Sequence, residues 1–130
     1  MINVDIVTPN KRLVEGAKAV SVKVPAVVGE TEILPGHTEL LTLLETGVVT
    51  LQLDGTQRNF AISQGFAEVH DDRVLILAET AEESKDIDRE RAKRAQKKAE
   101  EVLQSVLSDE HFKKYQLKVQ RAIVRQRISQ

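Results

Sequence analysis

The sequence predicts an α+β chain: an N-terminal antiparallel β-sandwich over residues 1–80, followed by a C-terminal antiparallel two-helix hairpin over residues 81–130. Three observations carry this. Up to residue 80, short runs of alternating apolar and polar residues recur about every 8 to 12 residues with a turn signal between neighbours, the pattern of a sandwich or barrel. From Glu79 onward the apolar period changes from two to three and four, and the remaining chain holds neither glycine nor proline. The charge divides at the same place, with 6 basic and 11 acidic side chains in residues 1–80 against 13 basic and 9 acidic in residues 81–130.

Taken in order, Ile2, Val4 and Ile6 alternate with Asn3 and Asp5 as in a half-buried strand, which Thr8-Pro9-Asn10 ends. A short second strand spans Arg12 to Glu15 before Gly16, and Val20, Val22 and Val24 mark a third that stops before Pro25. The stretch from Gly29 to Val49 reads as a β-corner. Pro35-Gly36 sets a locked φ beside a residue that tolerates positive φ, so the chain reverses between Ile33-Leu34 and the apolar run Leu40 to Leu44, which is expected to be buried. Glu30-Thr31-Glu32 and His37-Thr38-Glu39 form an exposed polar lip beside it. Val49, Leu51 and Leu53 then alternate up to Asp54-Gly55, a strong hairpin turn leading to Phe60 and Ile62. Phe66 to Val69 and Val74 to Ala78 flank a turn at Asp71-Asp72. With aromatics scarce, the core is built from Val, Ile and Leu.

The first helix begins at Asp86 or Asp88, either of which suits an N-cap, and runs to Leu107 with Ala92, Ala95, Ala99, Val102 or Leu103, and Val106 on one stripe. Ser108 or Asp109 caps the second, whose stripe is Phe112, Tyr115, Val119, and Ala122 or Ile123. Alanines remove little area from water, so the hairpin is expected to be weakly held and able to exchange between arrangements.

Composition and motifs exclude much chemistry. No cysteine is present, so disulfides and thiolate metal sites are ruled out. There is no phosphate-cradling loop of the G-x-x-x-x-G-K-[ST] type and no nucleophile turn. His37, His70 and His111 lie on separate elements, so neither a metal site nor catalysis by the isolated chain is expected. No apolar run approaches the roughly 18 residues of a membrane span, and MINVDIVTP is neither a signal nor a transit peptide, so no direct membrane insertion is expected. Beyond Glu110 no acid occurs, while Lys113, Lys114, Lys118, Arg121, Arg125 and Arg127 do. This is either a solvated helix face or a surface for an acidic partner or a phosphate-bearing ligand. Ile87-Asp88-Arg89-Glu90-Arg91-Ala92, with Arg121 and Arg125, is either helix capping plus charge pairing or the grip of a ligand.

Gly29, Glu30, Ile33, Leu34, Pro35, Gly36, His37, Leu40, Leu41 and Thr42 match the G-E-x-G-I-[LY]-P-G-H-x-P-L-L-T segment of the epsilon subunits of F-type ATP synthases, with Glu32 for a Gly and Glu39 for a Pro. Ser63, Gly65, Phe66, Glu68 and Val69 match the S-G-G-F-x-E-V strand of that family, with Gln64 for a Gly. Ile87, Asp88, Arg91 and Ala92 match the I/L-D-x-x-R-A motif of its ATP-binding members, with Glu82 upstream and Arg121 and Arg125 as the R-A-x-x-R pair. Lys98 stands where those members have a further arginine.

The chain therefore resembles a bacterial epsilon subunit along its whole length. The resemblance implies a non-catalytic rotor subunit that couples ring rotation to the catalytic head. The sandwich would sit with the gamma subunit and touch the membrane ring through Glu30, Thr31, Glu32 and His37. The hairpin would inhibit ATP hydrolysis when extended, with Lys113, Lys114, Lys118, Arg121 and Arg125 against the alpha and beta subunits. No cofactor is required and no nucleic acid is bound. ATP is implied as a regulatory ligand at Glu82, Ile87, Asp88, Arg91, Ala92, Lys98, Arg121 and Arg125. The location implied is peripheral, on the cytoplasmic face of the bacterial inner membrane. The alternatives are a free-standing ATP sensor or an adaptor that uses the basic hairpin.

Overall fold

The structure is a computed structural model that describes residues 1–105 and 108–129. Among these, ten strands precede two helices: β1 (Ile2–Val7), β2 (Arg12–Ala19), β3 (Ser21–Ala26), β4 (Gly29–Ile33), β5 (Leu40–Leu44), β6 (Gly47–Gln52), β7 (Gln57–Ile62), β8 (Gly65–His70), β9 (Arg73–Ala78) and β10 (Ala81–Glu83), then α1 (Arg89–Leu103) and α2 (Asp109–Ile128). A single 3-10 turn, Ser84–Asp86, lies between β10 and α1.

The strands pair in the order β10-β7-β6-β3-β5-β8-β9-β1-β2, with β4 on the other edge of β3. All pairs are antiparallel except β1 with β9. The sheet folds over at β3, whose one edge is shared: Ser21 to Lys23 pair with β6, while Ala26 alone pairs with Leu44 of β5. Pro25 sits in the gap between these partners. Its missing N–H is not called on there, and its carbonyl accepts from Glu45 N at 2.9 Å. The proline ring also explains Gly47, because a Cβ at that position would lie 2.7 Å from Pro25 Cβ. The two halves close on one core that includes Ile2, Val4 and Ile6 of β1, Val22 and Val24 of β3, Val49 and Leu51 of β6, Phe60 of β7, and Val74 and Ile76 of β9.

The turns follow their sequence chemistry. Leu34 to His37 is a β-turn closed by His37 N donating to Leu34 O at 3.1 Å, with Pro35 second and Gly36 third at φ 81°, the type II pattern. Asp71 and Asp72 both have positive φ, 49° and 57°, as a two-residue hairpin loop of the primed kind requires. Gly36 N donates to Asp72 Oδ1 at 2.7 Å, so these two turns are tied together at one end of the sandwich.

Several expectations are corrected. β2 continues through Gly16 to Ala19, because Gly16 adopts φ 64° and its N–H is taken by Asp5 Oδ1 at 2.8 Å, so the chain passes a register shift without leaving the sheet. β3 passes Pro25 and turns back at Val27-Val28 into β4, so Glu30, Thr31 and Glu32 lie on a strand rather than on a loop lip. Of Leu40 to Leu44 only Leu44 is fully buried, with Leu41 71% and Leu43 65% exposed. The last strand, β10, carries the sheet past residue 80 by pairing Ala81, Glu82 and Glu83 with β7.

Asp88 is the α1 cap, accepting from Arg91 N, and the helix ends at Leu103 rather than at Leu107. Val106 and Leu107 lie outside the described residues. The buried stripe uses Ala92 and Ala99 with Gln96 between them, and Ala95 faces out. Gln96 takes that place because its Oε1 accepts from Gln126 Nε2 at 2.6 Å across the helix pair. Ser108 caps α2 by accepting from His111 N. On α2, Val124 and Ala122 are buried while Phe112 and Ile123 are exposed.

Candidate functional site

The hairpin folds down beside the sandwich and rests on β6 and β7 through α2. Its apolar seat is small: Val124 of α2 and Ile87 meet Ala61 of β7, with Val48 and Ile128 packed at the margin. Around that seat the contact is ionic. Arg121 Nη2 donates to Glu79 Oε2 at 3.2 Å, and Arg125 Nε lies 3.5 Å from Glu82 Oε1. All four side chains keep substantial exposure, from 26% for Arg121 to 62% for Glu79. Arg121 Nε is buried and has no hydrogen-bond partner among the described residues.

A different arginine fixes the strand from which Glu82 projects. Arg58 of β7 grips Glu83 of β10 with two bonds, Nε to Oε2 at 2.9 Å and Nη2 to Oε1 at 2.7 Å, and lies 5.3 Å from the centre of the Phe60 ring. The hydrogen bonds from Arg58, opposed by partial burial and reinforced by its charge, hold the Glu83 carboxyl below the usual carboxylate range. The same bonds to Glu83, again opposed by burial, push the guanidinium above its ordinary value.

This geometry brings together part of the set named for nucleotide binding. Glu82, Ile87, Arg121 and Arg125 all stand at the seat, where Ile87 is core and the two arginines already face carboxylates. Asp88 is occupied as the helix cap, Ala92 is buried in the helix pair, and Arg91 and Lys98 project into solvent. Glu79 and Glu82 offset the positive charge that Arg121 and Arg125 bring to the seat. A phosphate-bearing ligand would have to displace them.

On edge strand β4, which runs from the Val27-Val28 turn toward the tied turns, Glu30 and Glu32 are exposed and Thr31 is half-buried, with Glu30 at the Val27-Val28 end. His37 is half-buried, with Nδ1 2.7 Å from Thr38 O. On α2, Lys113 and Lys114 are exposed and form no ion pair among the described residues, while Lys118 Nζ lies 4.6 Å from the centre of the Tyr115 ring.

One surface was missed by the sequence reading. The β5-β8-β9 register places Leu43 beside Phe66 beside Leu77, and Leu41 beside Glu68 beside Leu75, all on the outer side of the sheet. Leu41, Leu43 and Phe66 are exposed there, and Val27 extends the patch next to Leu43. An apolar strip of this kind on a sheet face marks an interaction surface. LLTLL hides it, because leucines at both parities leave period-two reasoning with no face to choose.

Comparison with known proteins agrees with this architecture. Residues 1–84 match the family model described as ATP synthase, Delta/Epsilon chain, beta-sandwich domain, and residues 85–130 match the long alpha-helix domain of the same chains. An ATP synthase epsilon chain from Geotalea uraniireducens is 36% identical over 129 residues, covering 98% of this chain and 93% of that one. One from Bacillus velezensis is 40% identical over 124 residues, covering 95% and 93%. Among solved structures, a chain of the Euglena gracilis mitochondrial ATP synthase, OSCP/F1/c-ring, superposes with a TM-score of 0.79 at 21% identity, over 92% of this chain and 75% of that one. A chain of the Tetrahymena thermophila mitochondrial ATP synthase central stalk and c-ring gives 0.68 at 14% identity, over 99% and 96%.

Proposed function

The chain belongs to the delta/epsilon chain family of ATP synthases, as a non-catalytic epsilon-type subunit, and from that premise we propose how its two parts divide the work. The sandwich is the anchor. Its exposed strip of Leu41, Leu43 and Phe66 seats the gamma subunit, and Glu30, Thr31, Glu32 and His37, on β4 and the turn that follows it, meet the membrane ring. The assembly then turns as a rotor element of the central stalk, peripheral to the membrane on its cytoplasmic face. Among the described residues no helix is long and apolar enough to cross a membrane.

The hairpin is the regulator. The observation that supports this most is its seat, a few apolar side chains ringed by exposed ion pairs, which a two-state element needs if another surface is to capture it. Once extended, it presents Lys113, Lys114, Lys118, Arg121 and Arg125 to acidic surfaces of the alpha and beta subunits and opposes ATP hydrolysis. Deleting residues from Ser108 onward in the assembled synthase should raise hydrolysis severalfold while gamma and the ring stay bound. Dissociation of the complex by this truncation would overturn the division of labour. ATP acts in this reading as a regulatory ligand that binds the folded-down hairpin and holds it there, taking Arg121 and Arg125 from their carboxylates. Titration calorimetry of the full chain with ATP should give heat that Arg121→Ala with Arg125→Ala abolishes, and unchanged heat in that variant would remove ATP from these residues.

A further inference from the structure

We propose that Glu79 and Glu82 form a built-in latch, occupying Arg121 and Arg125 so that the hairpin rests folded down with no nucleotide bound. This rests on the two-position reading above and adds what sets its resting state. Arg121 and Arg125 are one helical turn apart on α2 and share a face. Opposite them, Glu79 follows β9 and Glu82 lies in β10, so the two carboxylates meet the two guanidiniums in matching order. Glu82 is paired with Ala61 in the sheet register, and its neighbour Glu83 is clamped by both nitrogens of Arg58. The carboxylate side of the latch is thus held rigidly and the helix side is the part that leaves.

The geometry also makes the latch weak enough to open. Neither pair is bidentate, and all four groups are partly wet, so salt screens them. Among the described residues Arg121 Nε is buried without a partner, a loss that release of the helix into water would relieve. Because the carboxylates are in the same chain, any acid that competes for these arginines from another molecule works against a high local concentration. Capture of the hairpin therefore requires several clustered carboxylates or phosphates rather than one. A dilute monovalent anion acts only through screening.

The test uses the isolated full chain, whose lack of cysteine allows clean labelling. Glu45 and Gln120 line one groove between β5 and α2, so fluorophores on Glu45→Cys and Gln120→Cys sit close only when the hairpin is down. The parent pair should lose energy transfer as salt rises from about 0.05 to 1 M. Adding Glu79→Gln with Glu82→Gln should raise the open-to-closed ratio roughly tenfold at low salt and flatten the salt response. Arg121→Glu should open the hairpin, and Glu79→Arg added to it should close it again, a rescue that a misfolded variant could not give. A ratio within about twofold of the parent in the double amide variant, or no rescue by the charge swap, overturns the latch. Such a failure leaves the rotor reading standing, since truncation in the assembled synthase decides that separately.

Discussion

The sandwich and the hairpin seat are built on opposite terms. In the sandwich, branched aliphatic side chains from facing halves of one folded sheet, with Phe60 among them, fill a continuous core with no exposure at Val4, Ile6, Val24, Leu51 or Ile76. The seat has Ala61, Ile87 and Val124, ringed by wet charges. At about 25 cal/mol per Å² of apolar area removed from water, the first arrangement stabilises one conformation and the second leaves two within reach of each other. The same pair of residue types shows the contrast in miniature. Arg58 and Glu83, bidentate and half-buried inside the sheet, hold β10 to β7, whereas Arg121 and Glu79 share one exposed bond between hairpin and sandwich.

The largest effect expected from testing that contrast is at Arg58. Arg58→Met leaves Glu83, only 13% exposed, without its donors, and the loss should be about 2 kcal/mol of sandwich stability in denaturant unfolding. The pH dependence carries its sign. Glu83 titrates below its unfolded value, so the contribution of the pair is fully present above the ordinary carboxylate range. It is lost as pH falls through the depressed folded value. Parent and variant should therefore differ at neutral pH and converge in acid. The raised value of Arg58 adds stability that only strongly alkaline solution removes. A constant difference across the acid range would mean that Arg58 acts through its packing on Phe60 instead.

How far the sequence reveals these two regions follows from the same physics. β1, β6 and β9 are readable because burial on one face imposes strict alternation, and Asp54-Gly55 is readable because Gly55 has to take φ 80°. The β3-β4 hairpin is not, since its turn is Val27-Val28, two residues with no turn chemistry, and Pro25 reads as a terminator when it in fact fills the gap where β3 changes partners. On the helices, Ala92 and Ala99 fit a stripe through Ala95 or through Gln96 equally well. Only the bond to Gln126 from the other helix selects Gln96. The site was half legible for the same reason: Arg121 and Arg125 stand out as unneutralised charge along the chain, but Glu79 and Glu82 become their partners only when the hairpin folds back.

The smallest effect is the one that separates the two regions most cleanly. Val124 is the α2 side chain buried against Ala61 and Ile87, and none of these three belongs to the sandwich core. Shortening it to alanine removes apolar contact from the seat and nothing from the facing sheets, so the cost should be about 1 kcal/mol and confined to hairpin closure. Amide exchange should accelerate several-fold along α1 and α2, while β1, β6 and β9 keep the protection of the parent. The bond between Gln96 and Gln126 predicts in addition that the helices leave as a pair, because it ties α1 to α2 and neither to the sheet. Faster exchange in α2 alone would mean that the hairpin comes apart on opening. Equal acceleration in the sandwich strands would mean that seat and core are one cooperative unit, and the contrast drawn between them would fail.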